Sequence, residues 1–181
     1  MLQPVQSEEH AMKQVQHPFP PVCDRNSRIL ILGSFPSVKS REEGFFYGHP
    51  RNRFWPLLAE IFSEEPPLTI PGKQRFLLRH NLALWDVIAS CSIEGSSDAS
   101  VRNAVPVDIR RITDTACIQR IICNGALAGK LYKQHLQPTL GMEALILPST
   151  SPANAAWSLP RLAQAWRNAL IPEEPYAEHT P

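Results

Sequence analysis

The chain alternates short apolar runs with segments of helical periodicity, and this alternation restricts its possible folds more than any other feature. The first apolar run, residues 28–32 (RILIL), stops at Gly33, and similar runs occupy residues 82–88, 118–123 and 144–147. Short continuous apolar runs are typical of buried parallel strands, because a strand that is covered on both faces has no polar side. The sequence therefore predicts a sheet of parallel strands.

Helical periodicity fills the intervals between these runs. The longest early example spans residues 53–62, where five apolar residues share one face: Phe54, Leu57, Leu58, Ile61 and Phe62. Further helices are predicted at residues 73–79, 107–112, 126–135 and 158–170. Ser158 is expected to cap the last helix, with Pro160 in its first turn. Strands that alternate with helices predict the α/β class, with helices on both faces of the sheet.

Composition divides the 181 residues into one domain and two flexible ends. Residues 1–26 are rich in Gln, Pro and Glu and lack periodicity, which predicts a flexible leader. Residues 172–181 have the same character and are predicted to form a flexible tail. The folded domain is therefore expected to span residues 27–171.

Charge and hydropathy exclude several classes of protein. A net charge of +1 argues against a large non-specific polycation, while it permits a local basic groove. No apolar run approaches the roughly 20 residues that span a bilayer, and the N-terminus lacks the apolar core of a secretory signal. We therefore expect an intracellular protein, cytoplasmic or associated with the nucleoid, with no membrane partner.

The cysteine pattern and the absence of common motifs argue against metal and cofactor chemistry. None of the cysteines forms a CxxC pair, so a zinc or iron–sulfur site has little support. The sequence also lacks a GxxxxGK[ST] phosphate loop, a GxGxxG fingerprint and a GxSxG elbow. We expect neither a metal nor a cofactor.

In open parallel sheets, ligands bind beyond the carboxyl ends of the strands. This rule selects residues 33–37, 89–98 and 148–154, and residues 47–55 add the most unusual stretch of sequence. In the first segment (GSFPS), Gly33 permits close approach of the backbone and Pro36 stiffens the turn after Ser34. Phe35 is either a platform for a planar ligand or a core residue.

The stretch at 47–55 (YGHPRNRFW) is rich in groups that bind nucleic acid. Arg51 and Arg53 oppose the dipole of the helix that follows, so phosphate binding is a better explanation for them than helix stability. Asn52 either caps this helix or orients a water or a base edge. His49 is a rival acid or base, although a surface histidine is the commoner case. Lys130 and Arg161 are weaker candidates for phosphate contacts.

Two further segments carry polar groups. Asp86 lies in an apolar run and needs a hydrogen-bond partner, which makes a structural role at least as good an explanation as a catalytic one. Glu94 and Asp98 are either part of a site or solvated loop charges. The segment at 147–154 (LPSTSPAN) has three hydroxyls that could donate to phosphate oxygens, or it is a serine-rich turn; its candidate residues are Ser149, Thr150, Ser151, Pro152 and Asn154.

Four segments, in this order, resemble one family: LILGSFPS, YGHPRNRFWPLL, LWDVIASCSIEGSSD and LPSTSPAN. They are similar to the hypoxanthine-DNA glycosylase branch of the uracil-DNA glycosylase superfamily, over roughly residues 27–171. The resemblance implies a three-layer α/β/α sandwich with a short, mainly parallel central sheet. It also implies a cofactor-free enzyme that removes deaminated bases from DNA, hypoxanthine first, with uracil and xanthine as further candidates. A monomer is the default expectation for a DNA-scanning domain of this size.

The resemblance also implies roles for individual residues. The superfamily usually has a water-activating Asp or Asn two residues after the first glycine, where this chain has Phe35. In the similar branch an Asn takes over, which corresponds to Asn52, with His49 as its rival. Residues 149–154 correspond to the loop that grips phosphates and extrudes the nucleotide. Two alternatives remain open: a catalytically inactive domain that binds damaged DNA, which Phe35 favours, and a nucleoside hydrolase.

Overall fold

The computed structural model describes residues 13–93 and 102–171 of the chain. Residues 1–12 of the expected leader, the expected tail at 172–181, and the loop residues Glu94 and Asp98 lie outside the described residues. The element bounds that follow refer to the described ranges alone.

The described residues form strands and short helices that largely alternate. The strands are β1 (Lys13–Gln16), β2 (Ile29–Gly33), β3 (Leu82–Asp86), β4 (Ile88–Ile93), β5 (Arg102–Pro106), β6 (Arg120–Asn124) and β7 (Ala144–Leu147). The helices are α1 (Val38–Glu43), α2 (Phe54–Phe62), α3 (Ile70–Arg79), α4 (Arg110–Thr113), α5 (Ala126–His135), α6 (Gln137–Leu140) and α7 (Leu159–Leu170). Among the described helices, none is long and apolar enough to cross a membrane.

The main sheet contains four parallel strands in the order β3-β2-β6-β7. Strand β2 is central and pairs with β3 on one side and β6 on the other. Its residues Leu30, Ile31 and Leu32 are completely buried, as expected for a strand covered on both faces. Helix α3 packs against β3, and α5 packs against β6 and β7. The predicted α/β class and the mainly parallel sheet are confirmed.

A second, antiparallel sheet in the order β1-β4-β5 was not predicted. The apolar run at 82–88 was expected to be one strand, but it divides at Val87, whose N–H donates to the carbonyl of Gly33. Strand β4 then leaves the main sheet and pairs with β1 and β5. Apolarity cannot reveal this division, because both strands are buried where they meet.

The expected leader is wrong for residues 13–26. Strand β1 pairs with β4, Phe19 and Val22 belong to the hydrophobic core, and Val22 forms a β-bridge with Leu84. The few apolar residues of this segment are separated by prolines, so their spacing shows neither helical nor strand periodicity in the sequence. The segment is ordered because the side chains of Phe19 and Val22 are buried in the core. The folded domain therefore begins before residue 27.

Two helix predictions need smaller corrections. The helix expected at 107–112 is the shorter α4, because the Val107 N–H still donates to the carbonyl of Val87 and holds this residue beside the strands. Ser158 occupies the N-cap position of α7, yet its side chain makes no capping hydrogen bond. Pro160 does lie in the first turn, where its missing N–H has no helical partner to lose.

The packing of the N-terminal segment can be tested with Phe19→Ala, which should lower the free energy of unfolding by about 3–5 kcal/mol, the usual cost of removing a buried aromatic ring. The measurement is denaturant unfolding followed by tryptophan fluorescence. Leu68→Ala is the control, because Leu68 is 91% exposed and should change stability little. Equal stability of the two variants would contradict the packing described for residues 13–26.

Candidate active site

A pocket of about 120 Å³ opens at the carboxyl edge of the main sheet. Each of the four strands of that sheet contributes to it through its last residue or the turn that follows. The lining residues are Gly33, Ser34, Phe35, Pro36, Ser37, Ser40, Phe46, Tyr47, Asn52, Asp86, Asn124, Ser149, Thr150 and Ser151. Of the segments selected from the sequence, 33–37 and 148–154 therefore meet here, together with Asn52.

The wall formed by residues 33–37 follows β2 directly. Gly33 pairs in register with Asp86, and a Cβ atom at position 33 would lie only 2.1 Å from the Asp86 Oδ1 atom. A side chain here would collide with that carboxylate, so Gly33 is needed for close approach, although a neighbouring side chain rather than a ligand makes the approach. Phe35 is 8% exposed and lies beneath the Arg41 guanidinium, so it is at once a core residue and part of the wall.

The amide of Asn52 is oriented by two donors. Its Oδ1 accepts a hydrogen bond from the N–H of Phe54 at 3.0 Å and another from the hydroxyl of Thr150 at 3.0 Å. The first bond satisfies the N–H of Phe54 at the start of α2, although Arg53 and not Asn52 occupies the N-cap position of this helix. Both acceptor positions of Oδ1 are then used, and within the described ranges no group bonds to Nδ2. Asn52 therefore offers an N–H donor to the pocket.

Asn124 and Thr150 hold each other and so support Asn52. The Asn124 Nδ2 donates to the Thr150 hydroxyl at 2.9 Å, and its Oδ1 accepts the Thr150 N–H at 3.0 Å. Thr150 is completely buried. The last residue of β6, the loop after β7 and the loop before α2 are therefore connected by one chain of hydrogen bonds.

The arginines of the 47–55 segment have different surroundings. The Arg53 guanidinium donates to the carbonyls of Ser151 at 2.6 Å and Asn154 at 3.0 Å, and its Nε donates to the carbonyl of Thr150 at 3.4 Å. These bonds fix the 149–154 loop, which also explains an arginine near a helix N-terminus. Arg51 is exposed and forms no ion pair with a described residue, so it is the freer of the two cations.

The loop at 149–154 has internal hydrogen bonds of its own. The Ser149 hydroxyl accepts the N–H of Ser151 at 3.1 Å, and the Asn154 Nδ2 donates to the Ser149 carbonyl at 2.9 Å. Pro152 and Asn154 are not among the residues that line the pocket. The side chains of Ser149, Thr150 and Asn154 thus stabilise the shape of this loop.

His49 lies apart from the pocket. Its ring is partly exposed, and its Nδ1 accepts the N–H of Arg51 at 3.1 Å within a local turn. It is absent from the lining residues, whereas Asn52 is among them. Position therefore favours Asn52 over His49 as a group that acts in the pocket.

Asp86 has the partner that a buried carboxylate requires, and this partner is His17. The His17 Nε2 lies 2.8 Å from the Asp86 Oδ2, and the two side chains are 4% and 5% exposed. Within the described ranges no hydrogen bond reaches Oδ1, and Asp86 is part of the pocket lining. Asp86 is a member of the site that the sequence does not identify as such; its one signal in the sequence is a charged residue in an apolar strand.

Tyr47 places a buried hydroxyl beside this carboxylate. Its ring stacks on Phe54, with centroids 4.0 Å apart, and its backbone is left-handed with a φ of 54°. Burial raises the pKa of the Tyr47 hydroxyl, and the charge of Asp86 raises it further, so the group stays protonated. No described residue forms a hydrogen bond of good geometry with this hydroxyl, although the nearby Asn124 side chain lowers its pKa in part. The sequence alone gives no direct sign that the Tyr47 hydroxyl lies beside Asp86.

The described residues, 13–93 and 102–171, place no group of three or more His, Cys, Asp and Glu where they could hold a metal ion. The polar atoms that face the pocket are instead amide, hydroxyl and carboxylate groups on neutral or anionic side chains. Such a set can form hydrogen bonds with a planar, polar ligand and can stabilise charge that develops on it.

Comparison with known proteins gives consistent matches over most of the chain. The model of the Uracil DNA glycosylase superfamily matches residues 20–171. A hypoxanthine DNA glycosylase of Methanosarcina acetivorans is 37% identical over 146 residues, which cover 80% of this chain and 91% of that protein. The corresponding protein of Methanosarcina barkeri is 35% identical over 154 residues, which cover 84% and 96%.

A solved structure shows the same fold. The solution NMR structure of a candidate uracil DNA glycosylase from Methanosarcina acetivorans superposes with a TM-score of 0.73 and 33% sequence identity. The superposition covers 86% of this chain and 96% of that one. With the family model matching most of its length, the chain belongs to the uracil-DNA glycosylase superfamily.

Proposed function

We propose that this protein is a monofunctional DNA glycosylase that hydrolyses the N-glycosidic bond of a deaminated base, with hypoxanthine as its first substrate. The observation that carries the proposal is the pocket at the carboxyl edge of the sheet, where Asn52, Asp86 and the 33–37 turn surround one small space. The similarity to hypoxanthine DNA glycosylases supports the choice of base. The proposed working form is a monomer.

A base must leave the duplex before it can occupy such a pocket, because its reacting bond is inaccessible within the stack. Residues 149–151 line the pocket, and Arg53 holds the 149–154 loop through backbone carbonyls. A loop that is held rigid by these hydrogen bonds can contact the DNA strand without changing its own shape. We assign the loop to phosphate contact and nucleotide extrusion, and Arg51 to contact with the backbone outside the pocket.

Cleavage of the glycosidic bond develops positive charge on the sugar and negative charge on the departing base. Stabilising the base requires donors that are already oriented, and the Asn52 Nδ2 is such a donor because its Oδ1 is held by Phe54 and Thr150. Water then forms a bond to C1′ of the sugar and loses a proton, which balances the negative charge on the released base. The hydrogen bonds of Asn52 favour donation to the base or to this water over removal of a proton from it.

The alternative function is that of a domain that binds damaged DNA without cleaving it. Phe35 is the observation that favours it, since this residue occupies the position where the superfamily usually has its water-activating side chain. The two functions differ in their product: only the glycosylase leaves an abasic site. A duplex with one deoxyinosine, heated in alkali after incubation, distinguishes them.

Substitution of the proposed donor should separate Asn52 from His49. Asn52→Ala should slow base release by about 100-fold or more, as is typical when one preorganised donor is removed. His49→Ala should have little effect, because its ring lies outside the pocket. The measurement is single-turnover cleavage of duplexes that contain one deoxyinosine or one deoxyuridine.

Melting temperatures of both variants provide the control, since Asn52 also satisfies an N–H of α2. Full activity of Asn52→Ala together with loss of activity in His49→Ala would transfer the role to His49. Binding without cleavage by the unsubstituted protein would favour the DNA-binding alternative.

The reaction is expected to proceed without a Schiff-base intermediate and without cutting of the strand by lyase chemistry. Among the described residues that line the pocket there is no lysine, so no amine is placed to form a Schiff base with the sugar. Treatment of the reaction with borohydride should therefore trap no protein–DNA adduct on a denaturing gel. A lysine-dependent glycosylase run in parallel is the positive control, and an adduct of this protein would overturn the expectation.

Arg51 and Arg53 should respond differently to substitution. Arg51→Ala should weaken binding to DNA of any sequence and reduce the slope of log affinity against log salt by about one, as expected for a single phosphate contact. Arg53→Ala should lower the melting temperature, because the loop loses the bonds to Ser151 and Asn154. Fluorescence anisotropy at several salt concentrations and thermal melting measure the two effects. A reduced salt slope with unchanged melting for Arg53→Ala would instead place its guanidinium on phosphate.

A further inference from the structure

The two oxygens of the Asp86 carboxylate have different surroundings. Its Oδ2 lies 2.8 Å from the His17 Nε2, behind the pocket, whereas Asp86 itself is part of the pocket lining. His17 belongs to the N-terminal segment and is 69 residues away in the sequence. The distance between the two residues along the chain makes this contact a feature of the folded domain alone.

We propose that His17 is a positioning residue of the base-excision reaction, which fixes the Asp86 carboxylate so that Oδ1 is held toward the bound nucleotide as a hydrogen-bond acceptor. The inference rests on the proposed glycosylase function and goes beyond it, because it makes the segment before β2 part of the active site. His17 acts through Asp86 and does not itself line the pocket.

The directions of the hydrogen bonds support this assignment. The His17 Nδ1 accepts the N–H of Phe19 at 3.1 Å, so this nitrogen carries a lone pair. The proton of the neutral ring is therefore on Nε2, from which it is donated to the Asp86 Oδ2. A neutral imidazole with one committed proton orients the carboxylate and leaves its negative charge in place.

The ring of His17 is held in one orientation by aromatic side chains. Phe19, Phe35, Phe46 and Trp85 surround it, with ring centroids between 5.6 and 6.4 Å from its own. Phe35 and Phe46 also line the pocket. The imidazole therefore lies directly behind the pocket wall, where rotation of the ring would collide with its neighbours.

The backbone around His17 is attached to β3, which carries Asp86, and to β4, which follows it in the chain. Its N–H donates to the carbonyl of Ala89 at 2.7 Å, and the Trp85 Nε1 donates to the carbonyl of Phe19 at 3.2 Å. Both contacts join the N-terminal segment to β3 and β4. A displacement of this segment would be transmitted to Asp86 at the end of β3.

If His17 had a purely structural role, its substitution would lower the stability of the protein without affecting the reaction through Asp86. The chain offers a matched comparison in His80, whose Nε2 lies 2.8 Å from the Glu64 Oε1 and whose ring stacks on Phe62. This pair is likewise an imidazole–carboxylate contact and does not line the pocket, although Arg79 also binds Glu64 and the pair is more exposed than His17–Asp86. His80→Phe should therefore leave the rate of base release unchanged.

The test is a double-mutant cycle with His17→Phe, Asp86→Asn and the combined variant, measured as the single-turnover rate on a duplex with one deoxyinosine at saturating protein. His17→Phe should reduce the rate about tenfold or more, the effect expected when a hydrogen bond to a charged group is lost. His17→Gln, whose amide can still donate to Oδ2, should restore most of it. In the Asp86→Asn background, His17→Phe should change the rate by less than about twofold, because coupled residues are not additive.

Equal rates for the unsubstituted protein and His17→Phe, or losses that multiply in the combined variant, would overturn the inference and leave the proposed function intact. Unsubstituted protein that releases no base would remove the proposed function and this inference with it. Melting temperatures identify any variant that fails to fold.

A spectroscopic measurement needs no substitution. The ¹⁵N shifts of the His17 ring should show a protonated Nε2 and an unprotonated Nδ1. They should also change when a duplex with 2′-fluoro-deoxyinosine binds, because the analogue resists hydrolysis and contacts the carboxylate that His17 holds. An Nδ1-protonated ring, or shifts that do not change on binding, would contradict the positioning role.

Discussion

The parallel pairing of β2 with a strand on each side is the constraint on which the site depends. Parallel strands begin at one edge of a sheet and end at the other, so the residues that follow β2, β3, β6 and β7 converge without any specific attraction between them. The pocket therefore draws on parts of the chain that are far apart in sequence. Sheet geometry brings them near one another, and side-chain hydrogen bonds then set their final orientation.

Those hydrogen bonds divide the polar atoms of the site into two groups. One group is used internally: the Asn52 Oδ1, the Asp86 Oδ2 and both ends of the Asn124 amide. The other group, which includes the Asn52 Nδ2, the Asp86 Oδ1 and the Tyr47 hydroxyl, forms no hydrogen bond of good geometry with a described residue. Groups that are oriented but not saturated are what a binding site requires, because they need not reorganise when a ligand arrives.

Much of this arrangement could be predicted from the sequence, because it depends on local patterns. Continuous apolar runs predicted the strands of the main sheet, and the rule for strand ends selected residues 33–37 and 148–154. The partners of single polar groups could not be predicted in this way. His17 lies in a segment without periodicity, and the carbonyls that Arg53 binds are about a hundred residues away, so only the folded chain defines these pairs. The second sheet was missed for a related reason, since an apolar run does not record the turn at Val87.

The contact between His17 and Asp86 also restricts how this chain can diverge. A buried carboxylate that loses its donor is destabilising, whereas replacing both partners together can be nearly neutral. Substitutions at positions 17 and 86 should therefore be accepted together during evolution. Position 17 lies in the N-terminal segment outside the main sheet, and position 86 is the last residue of β3. A shortened chain that began at residue 20 would retain every strand of the main sheet and still lose the donor that Asp86 requires. The part of the chain that must be conserved for this site therefore includes the N-terminal segment as well as the main sheet.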